Sequence, residues 1–392
     1  MEPKEHSLIE KALDIEPDRE GTARYGPVAW FVVTMLLAGV YAVAGKLGLL
    51  LAFVHASATA VWLPTGIALA AFLILGYRVW PGIFLGAYLV NISTEGSVAT
   101  SIGIAAGNTL EGIVGAYLVN RFARGRRAFE RSQNVLAFAV LAGLVSTTVS
   151  ATCGVTSLML GGFADWVNYG PIWLTWWLGD VAGALIVAPF LILWSANRRL
   201  QWSRAQLAEA VLLCAVLVVT TLTVFGGLFS SHANRYPFEY LCIPGLVWAA
   251  YRFGPRETAT ANIILAGLAI WGTLRGFGPF ALSSPNESLL LLQAFMGVTS
   301  VLALTFAAVV FKKRRIEQSR ERLLGELQDA LTHIKTLRGL IPICATCKRV
   351  RNDEGYWDHV ESYIQEHSLA HFTHGLCPDC VTRLYADYKR AK

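Results

Sequence analysis

Residues 171–194 read PIWLTWWLGDVAGALIVAPFLILW, an apolar run that contains a single ionisable residue, Asp180. An α-helix rises about 1.5 Å per residue, so about 20 apolar residues cross the hydrocarbon core of a bilayer. A charged group within such a segment is costly unless it faces the interior of a helix bundle. The run therefore predicts a membrane-spanning helix that carries one inward-facing carboxyl group.

The rest of the chain has the same apolar character. Its 392 residues are 54% hydrophobic and 15% charged, with a mean hydropathy of +0.48, whereas soluble domains carry about a quarter charged residues. The net charge of +6 does not indicate a nucleic-acid-binding surface, because the basic residues lie between apolar runs. The composition predicts an α-helical polytopic membrane protein without a nucleic-acid partner.

Ten apolar segments are candidates for membrane spans. They are residues 28–54, 60–77, 79–92, 99–120, 135–157, 171–194, 207–230, 236–251, 258–274 and 287–311. The third and eighth segments are short enough to be re-entrant or tilted. We therefore predict eight to ten transmembrane helices and favour ten.

The distribution of basic residues gives the orientation of these spans. With ten spans, the predicted inner loops contain Arg78, Arg121, Arg124, Arg126, Arg127, Arg131, Arg198, Arg199, Arg204, Arg252 and Arg256, and Lys312–Arg315 close the last span. The predicted outer loops contain only Arg235 and Arg275. Because cytoplasmic loops are enriched in Lys and Arg, we predict that both termini are cytoplasmic.

Three ionisable residues, Lys46, Glu111 and Asp180, fall inside predicted spans. Lys46 and Asp180 lie at similar depths from the outer surface, which predicts an ion pair, and Asn108 lies one helical turn from Glu111 and could satisfy it. We predict that Lys46, Asn108, Glu111 and Asp180 form an intramembrane ligand or coupling site. The alternative is that these residues only lock helices together.

Two further patterns accompany these charges. Gly179 and Gly183 bracket Asp180 in a small-xxx-small pattern, which permits close approach of helices. Trp173, Trp176 and Trp177 near the outer end of the sixth span predict an interfacial aromatic belt, with a lid over a ligand pocket as the alternative.

After residue 311 the sequence becomes strongly charged. Apolar residues then recur at alternating steps of four and three, at Leu323, Leu327, Ala330, Ile334, Leu337 and Ile341. This heptad spacing is typical of a parallel two-stranded coiled coil, so residues 312–338 predict a short stalk and a homodimer. An amphipathic helix lying on its own protein is the alternative.

The membrane part resembles a known family in several motifs, which occur in the family's order. They are WLPTG at residues 62–66, GYRVWPG at 76–82, GNTLE at 107–111, WLGD at 177–180 with Pro189, and 244–248 leading into Arg252, Phe253 and Gly254. Residues 25–312 are thus similar to the first type of bacterial membrane-associated sensor (MASE) domain. This resemblance implies a sensory input domain in the bacterial inner membrane, with an unknown ligand, that precedes kinase, cyclase, phosphodiesterase or PAS modules.

The C-terminal tail contains two Cys-x-x-Cys pairs, formed by Cys344 with Cys347 and by Cys377 with Cys380. Two such pairs can complete a closed, structural four-thiolate zinc site, and a tail this small needs a staple of that kind. We expect a ribbon-like or treble-clef-like module with a hairpin near 353–355 and a helix near 357–367. Replacement of one sulfur by His374 and a redox role for the dithiols are alternatives. The tail is also similar to an uncharacterised module of bacterial signalling proteins.

Together these features predict four regions: a cytoplasmic segment at 1–27, a membrane-embedded sensor domain at 28–311, the stalk at 312–338 and the zinc module at 339–392. The tail is too short for a nucleotide-binding kinase domain, so we expect a sensor that is not itself an enzyme. We expect the tail to dock an unknown cytoplasmic signalling protein. A small-solute transporter or channel and a redox sensor are the alternative functions.

Overall fold

The computed structural model describes residues 26–50, 52–55, 58–94, 96–196, 202–227, 237–333, 341–351, 354–368 and 370–390. The predicted N-terminal segment therefore lies almost entirely outside the described residues. Contacts divide the chain into two compact units, residues 1–314 and 315–392.

The first unit is built of helices. In chain order its elements are α1 (Pro27–Leu50), β1 (Ala52–His55), β2 (Ala58–Thr59), α2 (Leu63–Leu75), α3 (Trp80–Ile92), α4 (Val98–Phe122), α5 (Ser132–Phe138), α6 (Thr147–Leu160), α7 (Tyr169–Ala196), α8 (Arg204–Phe225), α9 (Ile243–Arg252), α10 (Pro255–Leu274) and the first part of α11 (Pro285–His333). Strands β1 and β2 form an antiparallel hairpin, and a π-helical segment, Ala139–Val145, joins α5 to α6.

Each of the ten apolar segments predicted from the sequence contains a helix. Within the described residues, six helices are long and apolar enough to cross a membrane: Pro27–Leu50, Val98–Phe122, Ser132–Leu160, Trp166–Ala196, Arg204–Phe225 and Pro285–Ala330. Helices α2 and α3 have 13 residues each and α9 has 10. Thirteen residues cover about 20 Å, less than the hydrocarbon thickness of about 30 Å, so the count of eight to ten spans stays a prediction.

Helices α2, α7 and α11 run parallel to one another. The Trp62 amide donates to the Gly179 carbonyl, and farther along both helices Gly66 meets the backbone of Gly183. Asn286 accepts a hydrogen bond from Thr175, and the Ser300 hydroxyl donates to the Leu185 carbonyl. The carboxyl ends of α2 and α7 therefore lie at the same end of this unit as the later part of α11.

Basic residues of the predicted inner loops gather at that end. The Trp30 indole at the start of α1 donates to the Arg78 carbonyl at 3.2 Å. The Arg256 guanidinium lies 5.0 Å from the ring centre of Trp194, and the Arg314 guanidinium donates to the Arg252 carbonyl at 3.0 Å. These contacts join α1 to the turn after α2, α10 to α7, and α11 to α9, all at one basic end.

Helices α2 and α7 cross at backbone distance at Gly66 and Gly183. A Cβ atom at Gly183 would run into the Trp62 carbonyl oxygen, and one at Gly66 would run into the Gly183 carbonyl oxygen. Small residues allow such backbone approach between membrane helices. This crossing holds Asp180, one turn before Gly183, against the first turn of α2.

The second unit contains the last part of α11, followed by short elements. Strands β3 (Val350–Arg351) and β4 (Trp357–Asp358) form an antiparallel hairpin, followed by α12 (Val360–His367) and α13 (Pro378–Arg390). The hairpin turn includes Gly355 at φ 91°, a left-handed conformation that glycine adopts without strain. The hairpin and the helix expected from the sequence are both present.

The predicted stalk is described only in part. Helix α11 continues to His333, and Leu323 and Leu327 are 63% and 56% exposed. Ile334 and Leu337 of the predicted seam lie outside the described residues. The coiled coil therefore stays a prediction.

Gly183→Ala should destabilise the membrane unit by about 1–3 kcal/mol, a typical cost of overpacking, because the added methyl group meets a backbone carbonyl. The matched control is Gly267→Ala in α10, where a Cβ would have no atom within 4 Å. Thermal unfolding in detergent, followed by circular dichroism, measures both variants. Equal unfolding temperatures for the two variants would contradict the crossing.

Candidate functional site

The two buried carboxyl groups of the membrane unit lie together. Asp180 on α7 is 0% exposed and Glu111 on α4 is 2% exposed. The Thr65 hydroxyl lies 2.8 Å from Asp180 Oδ1 and 3.3 Å from Glu111 Oε2. Since a hydroxyl has one hydrogen to donate, Thr65 links the two groups without satisfying both.

The start of α2 positions Thr65 between these carboxyl groups. Pro64 occupies the first turn of α2, which begins at Leu63, and proline is well suited to the start of a helix because it has no amide hydrogen. The positive end of a helix dipole favours negative charge beside it. The first turn of α2 therefore supplies both a hydroxyl donor and a favourable electrostatic environment.

A chain of hydrogen bonds connects four helices beside the carboxyl groups. The Trp176 indole on α7 donates to Ser150 Oγ on α6 at 3.2 Å, and Ser150 donates to Asn108 Oδ1 on α4 at 2.8 Å. Asn108 Nδ2 in turn donates to the Tyr41 hydroxyl on α1 at 3.1 Å. Buried hydrogen-bond networks of this kind fix the relative positions of the elements they join.

Each of the two carboxyl groups of this site has one oxygen without a hydrogen-bond partner among the described residues. Within the described residues, Asp180 Oδ2 and Glu111 Oε1 are buried and accept no hydrogen bond. The nearby donors are already used, since the Ser150 hydroxyl bonds Asn108 and the Trp176 indole bonds Ser150. Adjacent carboxylates in a low-dielectric interior repel each other unless a proton or another cation lies between them. The site is therefore arranged to take up positive charge.

A cavity of about 30 Å³ adjoins Asp180, which is room for about two water molecules. Its described lining combines two tryptophans, several polar residues and a few small or aliphatic ones. These are Trp62 and Trp176; Thr59, Asn91, Thr94, Asn108 and Asp180; and Leu49, Ile104 and Gly179. The cavity thus resembles a binding site in being walled by aromatic rings and furnished with a few polar groups.

The predicted Lys46–Asp180 ion pair is wrong. Lys46 Nζ donates to the Ser93 carbonyl and to the Thr94 hydroxyl, each at 2.9 Å. Carbonyls at a helix end lack intrahelical partners, and the flexible lysine chain reaches those at the end of α3. Trp62 lies between the helices of the predicted pair, because its ring packs on Gly48 of α1. Through Thr94, Lys46 adjoins the cavity without lining it.

The predicted support of Glu111 by Asn108 is also wrong. Asn108 bonds Tyr41 and Ser150, whereas Glu111 meets Thr65. The two residues share a helix but face different neighbouring helices. Sequence reasoning missed Thr65, whose only signal was its place in the WLPTG motif, and it treated Trp176 mainly as part of an interfacial belt.

The MASE1 sequence profile, which describes a membrane-associated sensor domain, matches residues 33–314. The chain belongs to the MASE1 family. The resemblance expected from the motifs is thereby confirmed, and the MASE1 domain is a membrane-associated sensor domain of bacterial signalling.

A curated relative extends this comparison. The probable diguanylate cyclase DgcE of Escherichia coli (strain K12) is 25% identical over 233 residues, which is 58% of this chain and 20% of the relative. The chain therefore covers only a small part of that protein's length, within the MASE1 part. No solved structure matches the chain.

Helix α11 of the MASE1 domain contacts the cavity wall directly. Gln293 is 2% exposed, and its Nε2 donates to the Thr59 carbonyl at 3.0 Å and lies 3.5 Å from the Thr175 carbonyl. Thr59 itself lines the cavity. The helix that continues to His333 is therefore tied to the wall of the candidate site.

The tail presents its cysteines in two separate local structures. Cys344 begins a tight turn in which its amide donates to the Arg349 carbonyl, and Lys348 adopts φ 61°. Backbone hydrogen bonds, mainly from the Cys347 amide, lower the pKa of the Cys344 thiol. The Cys380 amide at the start of α13 likewise lowers the pKa of the Cys377 thiol. Both turns thus favour the thiolate that metals bind.

The four predicted zinc ligands are not gathered into one site. Among the described residues, no group of three or more His, Cys, Asp or Glu side chains could hold a metal ion. Thiols alone have no attraction that would bring the two pairs together, whereas metal binding is coupled to folding in small modules. The zinc site, including the alternative ligand His374, stays a prediction.

Thr65→Val should destabilise the MASE1 domain by about 1–3 kcal/mol, because the buried carboxyl oxygens of Asp180 and Glu111 lose a shared donor. Thr109→Val is the matched control, since that buried hydroxyl donates only to Ala105 of its own helix. Chemical unfolding in mixed micelles measures both. A loss no larger for Thr65→Val than for Thr109→Val would refute the role of the Thr65 bridge.

Proposed function

We propose that this chain is an integral-membrane sensory input protein of bacterial signalling that binds a small ligand beside Asp180 and passes the change to its tail through α11. Membership of the MASE1 family supports the sensory role. The observation that carries the relay is the pair of contacts from Gln293 to the carbonyls of Thr59 and Thr175. They join the helix leading out of the domain to the cavity wall.

Ligand binding would act on this contact through a short path. A Cβ atom at Gly179 would lie 2.9 Å from the Thr59 carbonyl oxygen and 3.6 Å from Gln293 Nε2. Gly179 also precedes Asp180, whose Oδ2 atom accepts no hydrogen bond from the described residues. A ligand that engages Asp180 therefore shifts the wall against which Gln293 packs, and packed interfaces of this kind switch between discrete arrangements.

The same proposal includes the orientation of the protein. We place all ten apolar helical segments in the bacterial inner membrane, with the bilayer thinned locally around the short helices α2, α3 and α9. The basic end with Arg78, Arg252 and Arg314 then faces the cytoplasm. Both termini are cytoplasmic in this arrangement, and the cavity opens toward the outer half of the membrane.

The output of the proposed sensor is the stalk and the tail. Leu323 and Leu327 of α11 are exposed, and a second copy of the chain would cover them in a two-stranded coiled coil. Cys344, Cys347, Cys377 and Cys380 would hold structural zinc, a role supported by the thiolate-favouring turns. The folded tail would dock a cytoplasmic signalling protein, without catalysing a reaction itself.

The relay is tested by hydrogen exchange of the full chain in nanodiscs. Asp180→Asn removes the buried charge and should change amide exchange in residues 315–333 and 341–351. A coupling of about 0.5–2 kcal/mol, as found between distant sites, corresponds to about a 2- to 30-fold change in exchange rate. Gln293→Leu should abolish this effect of Asp180→Asn.

The matched control for Gln293→Leu is Thr299→Val, since the Thr299 hydroxyl on the same helix bonds only α11 carbonyls. Thr299→Val should leave the response to Asp180→Asn intact. Identical tail exchange in the native chain and in Asp180→Asn would refute the relay.

The zinc module is tested by the metal content of the purified full chain. We expect one zinc ion per chain, lost on combined replacement of Cys344 and Cys377 by Ser and retained in Cys214→Ser, which changes an exposed cysteine of the MASE1 domain. A chain without metal, in which Cys344–Cys347 or Cys377–Cys380 disulfides form reversibly, would contradict zinc and favour the redox-sensor alternative.

A further inference from the structure

We infer that the cavity beside Asp180 binds a compact monovalent cation, either an alkali metal ion or a small protonated amine. A role of this cation in signalling rests on the proposed function. The binding itself follows from the charge, the unpaired oxygens, the size and the walls of the cavity.

The charges of the residues around the cavity favour a cation as the ligand. Asp180 is the single ionisable residue among its described lining residues, and Thr65 connects it to the carboxyl group of Glu111. The nearest lysine, Lys46, is held by Ser93 and Thr94 and does not neutralise Asp180. An anionic ligand would face two buried carboxyl groups and be repelled.

An unpaired oxygen gives the cation a defined contact. Asp180 is 0% exposed, and its Oδ2 atom accepts no hydrogen bond from the described residues. A buried acceptor without a partner costs about 1–3 kcal/mol, and an apolar ligand would leave it unpaired. A cation at Oδ2 removes this penalty and offsets the repulsion between Asp180 and Glu111.

The size and the lining residues of the cavity limit which cations can bind. A volume of about 30 Å³ corresponds to about two water molecules, which suits sodium, potassium, ammonium or methylammonium better than a bulky quaternary amine such as choline. Trp62 and Trp176 line the cavity, and indole rings attract cations. A single lining carboxylate is a poor site for calcium, which takes 6–8 oxygen ligands.

Cation binding is measured on the purified full chain in detergent, first equilibrated in choline chloride. Sodium, potassium, ammonium and methylammonium chlorides are then titrated at constant ionic strength and pH, with choline chloride as the blank. Isothermal titration calorimetry and thermal unfolding should both report saturable binding of one cation per chain. Comparing the titrations with sodium and potassium to those with ammonium and methylammonium shows which of the two classes of cation the site binds.

Two variants and one control locate the binding. Asp180→Asn should weaken binding at least tenfold while unfolding at a temperature no lower than the native chain, because it removes a buried charge. Ile104→Phe keeps Asp180 but fills the cavity from another wall residue, and it should also abolish binding. Glu287→Gln, which changes an exposed carboxylate, should bind like the native chain.

The cation site is overturned if no titrant differs from choline, if only pH changes the signal, or if Asp180→Asn binds with unchanged affinity. Failure of the relay is a separate result. If cations bind without changing hydrogen exchange in residues 315–333 and 341–351, the cation site is supported and the relay is contradicted. If Asp180→Asn changes that exchange but no cation binds, the relay is supported and the assignment of a cation is contradicted.

Discussion

The structure of the MASE1 domain depends on the free-energy cost of placing two carboxyl groups inside an apolar helix bundle. Asp180 and Glu111 are buried, and among the described residues the Thr65 hydroxyl alone joins them. This arrangement requires α2 to approach α7 at backbone distance, which the glycine at 183 permits. Such polar groups in membrane segments are expensive and are usually retained for function.

The proposed relay to the tail would begin in the same small region. The cavity wall at Thr59 and Gly179 is in contact with Gln293, and Gln293 belongs to the 49-residue helix α11. In the proposed relay, α11 would carry a shift at its buried end along its axis. A change of charge at Asp180 and a change of register in α11 would then be two aspects of one transition.

Much of the secondary structure could be predicted from the sequence, because helices and hairpins depend on local patterns of residues. Hydropathy located the ten helical segments, and spacing located the tail hairpin and the helix Val360–His367. The partners of Lys46 could not be predicted, since counting residues gives the depth of a side chain but not its lateral position around the bundle. Thr65 was missed because a lone threonine in an apolar run carries no distinctive signal. The predicted arrangement of the four cysteines around one metal would depend on the metal ion and not on spacing alone.

The central claim is that Asp180 and Glu111 form one interacting unit, and a double-mutant cycle tests it most directly. Asp180→Asn, Glu111→Gln and the double variant are compared by their free energies of unfolding in mixed micelles. Residues in contact give interaction energies of about 0.5–3 kcal/mol, whereas distant sites add within about 0.5 kcal/mol. We predict a coupling above about 1 kcal/mol, because removing either charge relieves the same repulsion. Strict additivity of the two substitutions would contradict the account.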